Sequence, residues 1–299
     1  MAEYKYFVYV ANQGGMGASN GTVSAYRIDS TTGALTKIGT SNEIAAGNQP
    51  VSVTVTPNGK YVYVANQGNN VSFGSISAYR ILESGALTPI LNDGSNEIST
   101  GINPSSVTVD PNGQYVYVAN SGTANGSVSA YSINLTTGAL TPILNDGSNE
   151  ISTGINPSSV TVDPNGQYVY VANQGNSGNV GTVSAYSIDS TTGGLTKINN
   201  GDIAAGINPK SVTVDPNGQY VYVANQGNSV SVGTVSAYRI LGSGALTPIT
   251  QTNGSSISDI AAGINPISVT VDPNGQFVYV ANAKDGSIGS ISAYSINQL

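Results

Sequence analysis

The chain has no cysteine, no histidine and no tryptophan, and only 8% of its 299 residues are charged. Without cysteine there is no disulfide and no thiolate chemistry. Without histidine as well, neither a Ser-His-Asp triad, nor a Cys-His pair, nor an ordinary zinc site can be built. No run of 18 apolar residues exists, so no membrane span is expected. Nine basic residues, scattered along the chain, stand against sixteen acidic ones for a net charge of -7, which argues against nucleic acid as a partner. Helix formers are also sparse. Glycine, at 37 residues, and β-branched residues take their place, and no segment of useful length has a 3.6-residue period.

What is present is a repeat. The string VYVAN ends at Asn12, Asn66, Asn120, Asn173, Asn225 and Asn282, at spacings of 54, 54, 53, 52 and 57 residues. Six copies of one unit account for nearly the whole chain, so one domain is expected over 1–299. Residues 85–120 and 138–173 are the same 36-residue string, which points to recent duplication or to design.

Each unit reads as four strands joined by turns. VSVTV at 51–55 alternates in the strand period, and YVYVAN at 61–66 returns antiparallel after Thr56-Pro57-Asn58-Gly59. Later copies of that turn read Asp-Pro-Asn-Gly, beginning at Asp110, Asp163, Asp215 and Asp272, in which Pro presets φ and Gly accepts a positive one. SISAYRI at 75–81 and ALTPI at 86–90 complete the unit. Four-stranded meanders bury their faces only against one another, and their twist arranges them around an axis. Small residues, such as Ala65 and Ala78 with their counterparts, recur where sheets approach closely. The expectation is an all-β, six-bladed β-propeller of four-stranded antiparallel blades. Its first and last blades are incomplete, since the count reaches 22 strands where a closed ring needs 24; a fragment of a seven-bladed propeller is the alternative.

NPSSVTVDPNGQYVYVAN at 103–120, its counterparts at 156–173, 208–225 and 265–282, and GTVSAYRI at 21–28 and 233–240 resemble the YVTN-type β-propeller repeat family. They are also similar to lactonase-like propellers related to 6-phosphogluconolactonase. The resemblance spans essentially the full chain and implies a propeller fold. It leaves function open among enzymes, surface-layer proteins and binding scaffolds.

Chain direction sorts the connections by face. The second-to-third and fourth-to-first connections share one face and vary between copies; the tight turns share the other. The variable loops carry few groups: Phe73 is their one aromatic residue, and their charges are Glu43, Asp93, Glu97, Asp146, Glu150, Asp202, Asp259, Lys284 and Asp285. Such carboxylates suit Ca²⁺, but no segment has the D-x-[DN]-x-[DN]-G spacing, so no cofactor is specified. The residue before the proline that opens each first strand is Gln49, Asn103, Asn156, Asn208 or Asn265. If that strand lines the axis, these amides ring one mouth of the channel, as a ligand site or as caps on backbone groups. Glu43, Glu97, Glu150 and Lys210 are the remaining candidates near the channel face.

A catalyst must break the pseudosymmetry of the ring, and this chain hardly does. The sequence therefore favours a non-enzymatic scaffold, binding a protein or cell-surface partner through the long-loop face or assembling with itself through unpaired blade edges. The alternative is a lactonase-like hydrolase. Low charge and abundant Asn, Gly, Ser and Thr suit an extracellular or cell-surface setting, although Met-Ala-Glu leads straight into a strand with no signal peptide. Five N-x-[ST] sequons begin at Asn20, Asn70, Asn125, Asn134 and Asn253.

Overall fold

The computed structural model describes residues 6–14, 21–39, 43–68, 73–122, 125–145, 147–176, 178–198, 202–228, 233–249, 259–283 and 288–296. They form six small antiparallel sheets arranged in a ring, a six-bladed β-propeller. Blade three is representative: an axial strand Pro104–Val109, then Tyr115–Asn120, Ser127–Ile133 and Leu140–Pro142 outward. The turn between its first two strands is held by Asp110. Oδ1 accepts from the amides of Gln114 and Tyr115 at 2.6 and 2.7 Å, and Oδ2 accepts from Asn112 N at 3.0 Å.

One element is additional to the expected twenty-two strands. The third strand is seven to nine residues long in blades one to five, but the fourth pairs with only three of them, leaving half of an edge unpaired. The returning connection fills that half. Glu97–Ile102 pairs with Phe73–Ile81 in blade two, and Ile44–Ala45, Glu150–Ser152, Ile203–Ile207 and Asp259–Ala261 do the same in blades one, three, four and five. The fourth-to-first connection is thus partly strand, and blades two to five have five strands rather than four.

Adjacent blades pack a tyrosine face against a valine face. Tyr61, Tyr63, Ala65, Ile76 and Ala78 of blade two meet Val107, Val116, Val118 and Tyr131 of blade three, all buried. The alanines hold the sheets close enough for the tyrosines to span the gap. Tyr63 and Tyr117 hydroxyls donate to Gly138 and Gly193 carbonyls in the next blade at 2.8 and 2.9 Å. Tyr131 and Tyr186 donate backward to Ser99 and Ser152 carbonyls at 2.6 and 2.7 Å. Glycine is required at the receiving turn: Gly138 has φ +79°, and a Cβ there would lie 2.4 Å from Tyr61 Cδ1.

Among the described residues, blade one has no axial strand and blade six has neither a fourth nor a fifth strand. Their outer flanks are exposed accordingly. Tyr279 is 39% exposed and Ile291 75%, where their counterparts Tyr117 and Ile76 are fully buried.

Candidate functional site

The five residues of the expected amide ring share one backbone state. Gln49, Asn103, Asn156, Asn208 and Asn265 all lie in the left-handed region, with φ between +52° and +57°. That kink turns the chain from the long-loop face into each axial strand, and Asn accepts it more readily than most residues. Each backbone carbonyl accepts from an amide just past the second strand, as from Ser121 N to Asn103 O at 2.9 Å. Of the side chains, Asn156 Nδ2 caps the Gly175 carbonyl at 3.1 Å, and Asn208 Nδ2 donates to Gln226 Oε1 at 2.7 Å. Gln226 escaped the sequence reading because only strand pairing brings it beside Asn208.

Immediately after each amide and proline, the axial strand bulges. Pro209 pairs with Asn225 and Ser211 with Ala224, so Lys210 has no partner across the ladder; Val51, Ser105, Ser158 and Ile267 hold the same place in other blades. A bulge at a rim redirects the side chain it carries. In blades three and four that side chain is serine. Ser105 and Ser158 hydroxyls donate to the Pro157 and Pro209 carbonyls of the next axial strand, at 2.7 and 2.8 Å. Ser52, Ser106, Ser159 and Ser211 zip the same strands together further down, each accepting from a backbone amide of the next blade at 3.2 Å. Blade five breaks the pattern with Lys210, the one basic residue on the axial strands among the described residues. It is half-buried, burial pushes its pKa below the ordinary lysine value, and no carboxylate pairs with it among the described residues. The signal was visible as NPKSV among copies of NPSSV.

Glu43, Glu97 and Glu150 stand elsewhere. Glu97 and Glu150 are opposite Ser77 and Ser129 on the outer side of the third strands, two strands away from the axis, and Glu43 takes the same place in blade one. They were expected near the channel because the fourth-to-first connection was read as a loop crossing the face, whereas it folds back against the third strand. Each closes a polar cluster. Thr22 and Ser24 hydroxyls donate to Glu43, the Ser75 hydroxyl to Glu97 and the Ser127 hydroxyl to Glu150, while Asn12, Asn66 and Asn120 Nδ2 groups donate to the hydroxyls. The Thr22 and Ser24 hydroxyls, with Lys37 beside them, lower the Glu43 pKa to about 2. The incoming connection crosses tightly over these clusters, so a Cβ on Gly101 would lie 2.5 Å from Glu150 Oε2.

The structure therefore joins Asn208 to Gln226 at the entry of the axial strand that carries Lys210, and sets the glutamates on the outer strands. Among the described residues no cluster of three metal-ligating groups occurs, and no helix is long and apolar enough to cross a membrane. Phe73 opens the third strand of blade two, where it is exposed. Asp146, Lys284, Asp285 and the sequon asparagines Asn20, Asn70 and Asn253 lie outside the described residues.

The chain matches the family described as lactonase, 7-bladed beta-propeller, over residues 1–92, 90–182, 144–261 and 175–299. It is 25% identical to a 6-phosphogluconolactonase of Bacillus subtilis over 281 residues, covering 90% of this chain and 72% of that protein. It is 29% identical to a 6-phosphogluconolactonase of Formosa agariphila over 132 residues, 44% of this chain and 35% of that one. The fold is similar to that of a periplasmic gluconolactonase from Pseudomonas aeruginosa, with a TM-score of 0.67, 18% identity, and coverage of 98% of this chain and 83% of that one. These relatives overturn the expectation of a binding or assembly scaffold: proteins that share this chain's repeats are named as lactonases, which favours the hydrolase alternative. The near-identity of the blades argued against catalysis, but a single exception such as Lys210 among the axial strands breaks that symmetry.

Proposed function

This chain is a member of the lactonase family of seven-bladed β-propellers, and from that membership we propose that it hydrolyses a sugar-acid lactone at the long-loop mouth of its axial channel. The observation that carries the reading is Lys210, a lone ammonium on a bulge where the other axial strands carry Ser, Val or Ile. A ring of identical blades has no reason to catalyse at one point; a single charged substitution at the rim provides one.

Lactone opening asks little of a protein without histidine. Water adds to the acyl carbon, the ring C–O bond breaks, the ring oxygen takes a proton from the attacking water, and a hydroxy acid leaves. The barrier lies in the negative charge that develops on the carbonyl oxygen. A half-buried ammonium stabilises that charge more than a fully solvated one does. Asn208, two residues before it in the chain, and Gln226, to which Asn208 donates, carry the amide groups assigned to the substrate's hydroxyls. The names of the Bacillus and Formosa relatives make 6-phosphogluconolactone the first substrate to test. The finer assignment of the repeat as YVTN-type is part of the same proposal and rests on the recurring VYVAN string.

The test is proton release during ring opening of 6-phosphogluconolactone by the purified chain, against the spontaneous rate in buffer. Release proportional to protein concentration supports the reading. A rate equal to buffer at every protein concentration removes it.

A further inference from the structure

The carboxylate at the start of the fifth strand has its own ammonium in two blades and lacks one in two others. Lys37 Nζ lies 3.1 Å from Glu43 Oε1 in blade one, and Lys197 Nζ lies 2.8 Å from Asp202 Oδ1 in blade four. Both lysines end the fourth strand, opposite Tyr26 and Tyr186 of the third. In blades two and three the same place, opposite Tyr79 and Tyr131, is taken by Pro89 and Pro142. Glu97 and Glu150 accordingly form no ion pair among the described residues. They keep only their hydroxyl partners, Ser75 and Ser127.

These two glutamates line one groove between blades two and three, with a volume of about 970 Å³. Asp93 adds a third carboxylate to its lining, and no basic residue lines it among the described residues. Its apolar surface is exposed: Phe73, Leu91 and Leu144 are 66, 63 and 64% accessible, a concentration of bare large side chains in one place. An anionic and apolar groove on a chain that seats an ammonium against the same carboxylate position twice over defines its ligand by complementarity.

We propose that this groove binds a primary alkylammonium compound, its charged head against the carboxylate of Glu97 or Glu150 as the lysine heads lie in blades one and four, and its aliphatic body over Leu91, Leu144 and Phe73. Lysine stems cover apolar surface in the same way while their heads stay solvated. Exposed ion pairs contribute little alone, so recognition requires both parts of the ligand. The groove lies on the outer half of the blades, away from Lys210, and is independent of the lactonase reading.

The experiment is calorimetric titration of the whole chain at neutral pH and low salt with 1-aminohexane, and separately with 1-hexanol, which has the same body without the charge. The amine is expected to bind at least about tenfold more tightly than the alcohol. The double variant Pro89→Lys and Pro142→Lys, which gives blades two and three the ammonium that blades one and four already carry, is expected to lose amine binding by about tenfold or more. Because lysine occupies this position in two native blades, the variant is expected to fold, which its unfolding transition verifies, and to keep its rate of lactone ring opening. Glu97→Gln with Glu150→Gln is expected to lose amine binding to a similar extent. Absence of amine binding to the unaltered chain, equal binding of amine and alcohol, or full amine binding by the folded lysine variant overturns the proposal.

Discussion

The Tyr117 hydroxyl of blade three donates to the Gly193 carbonyl of blade four at 2.9 Å, closing the tyrosine face of one sheet onto the outer turn of the next. The same bond joins Tyr63 to Gly138 and Tyr170 to Gly244. Tyr222 of blade five has no such partner: its hydroxyl is buried and unpaired, facing a blade whose described residues include no outer turn. Tyr117→Phe removes a bond and strands a buried carbonyl, so it is expected to cost about 1–2 kcal/mol, whereas Tyr222→Phe removes only an unpaired group and is expected to be neutral or slightly stabilising. Urea unfolding of the two variants beside the parent measures the difference. Equal losses would show that the hydroxyl bond is not what distinguishes the interfaces.

Gly101 passes so near Glu150 and Asn120 that a methyl group must displace one of them. Gly101→Ala is expected to destabilise by about 1–3 kcal/mol through overpacking. A shift of the unfolding midpoint measures it, and a midpoint equal to that of the parent would contradict the packing described.

Glu43 ties acid stability to its cluster. Its pKa falls from 4.5 to about 2 in the folded chain, so the carboxylate favours folding above pH 4.5, and this contribution is lost as pH falls through about 2. Glu43→Gln is therefore expected to be less stable than the parent at pH 7, with the gap closing between pH 4.5 and 2. Midpoints measured across that range decide the matter; a gap that widens on acidification would contradict the assignment.

Much of this was legible in the residues. VYVAN recurring every 52 to 57 residues, the Asp-Pro-Asn-Gly turns and paired alanines specify a ring of antiparallel blades, because each signal is local and repeated. The fifth strand was not legible. NEISTGI reads as part of a loop until Leu87–Pro89 leaves Ser75–Ser77 unpaired, which is a property of register rather than of sequence. Glu97 moved outward with that strand. Lys210 could be named from the sequence, yet its placement on a bulge depends on how Pro209 and Ser211 pair with the neighbouring strand.

Burial lowers the Lys210 pKa, so a rate that depends on its ammonium form should decline on the alkaline side before the ordinary lysine value of 10.5 is reached. The pH profile of kcat/KM, corrected for spontaneous opening, displays this limb. Lys210→Arg is expected to move the limb to higher pH while retaining part of the rate, a result that a merely structural lysine would not give.

The central claim is that one ammonium at the channel mouth makes a pseudosymmetric ring into a hydrolase. Comparison of kcat/KM for 6-phosphogluconolactone between the parent chain and Lys210→Gln tests it most directly. The account predicts a fall of about 10²-fold with the fold intact. A glutamine variant that opens the lactone as fast as the parent would contradict it.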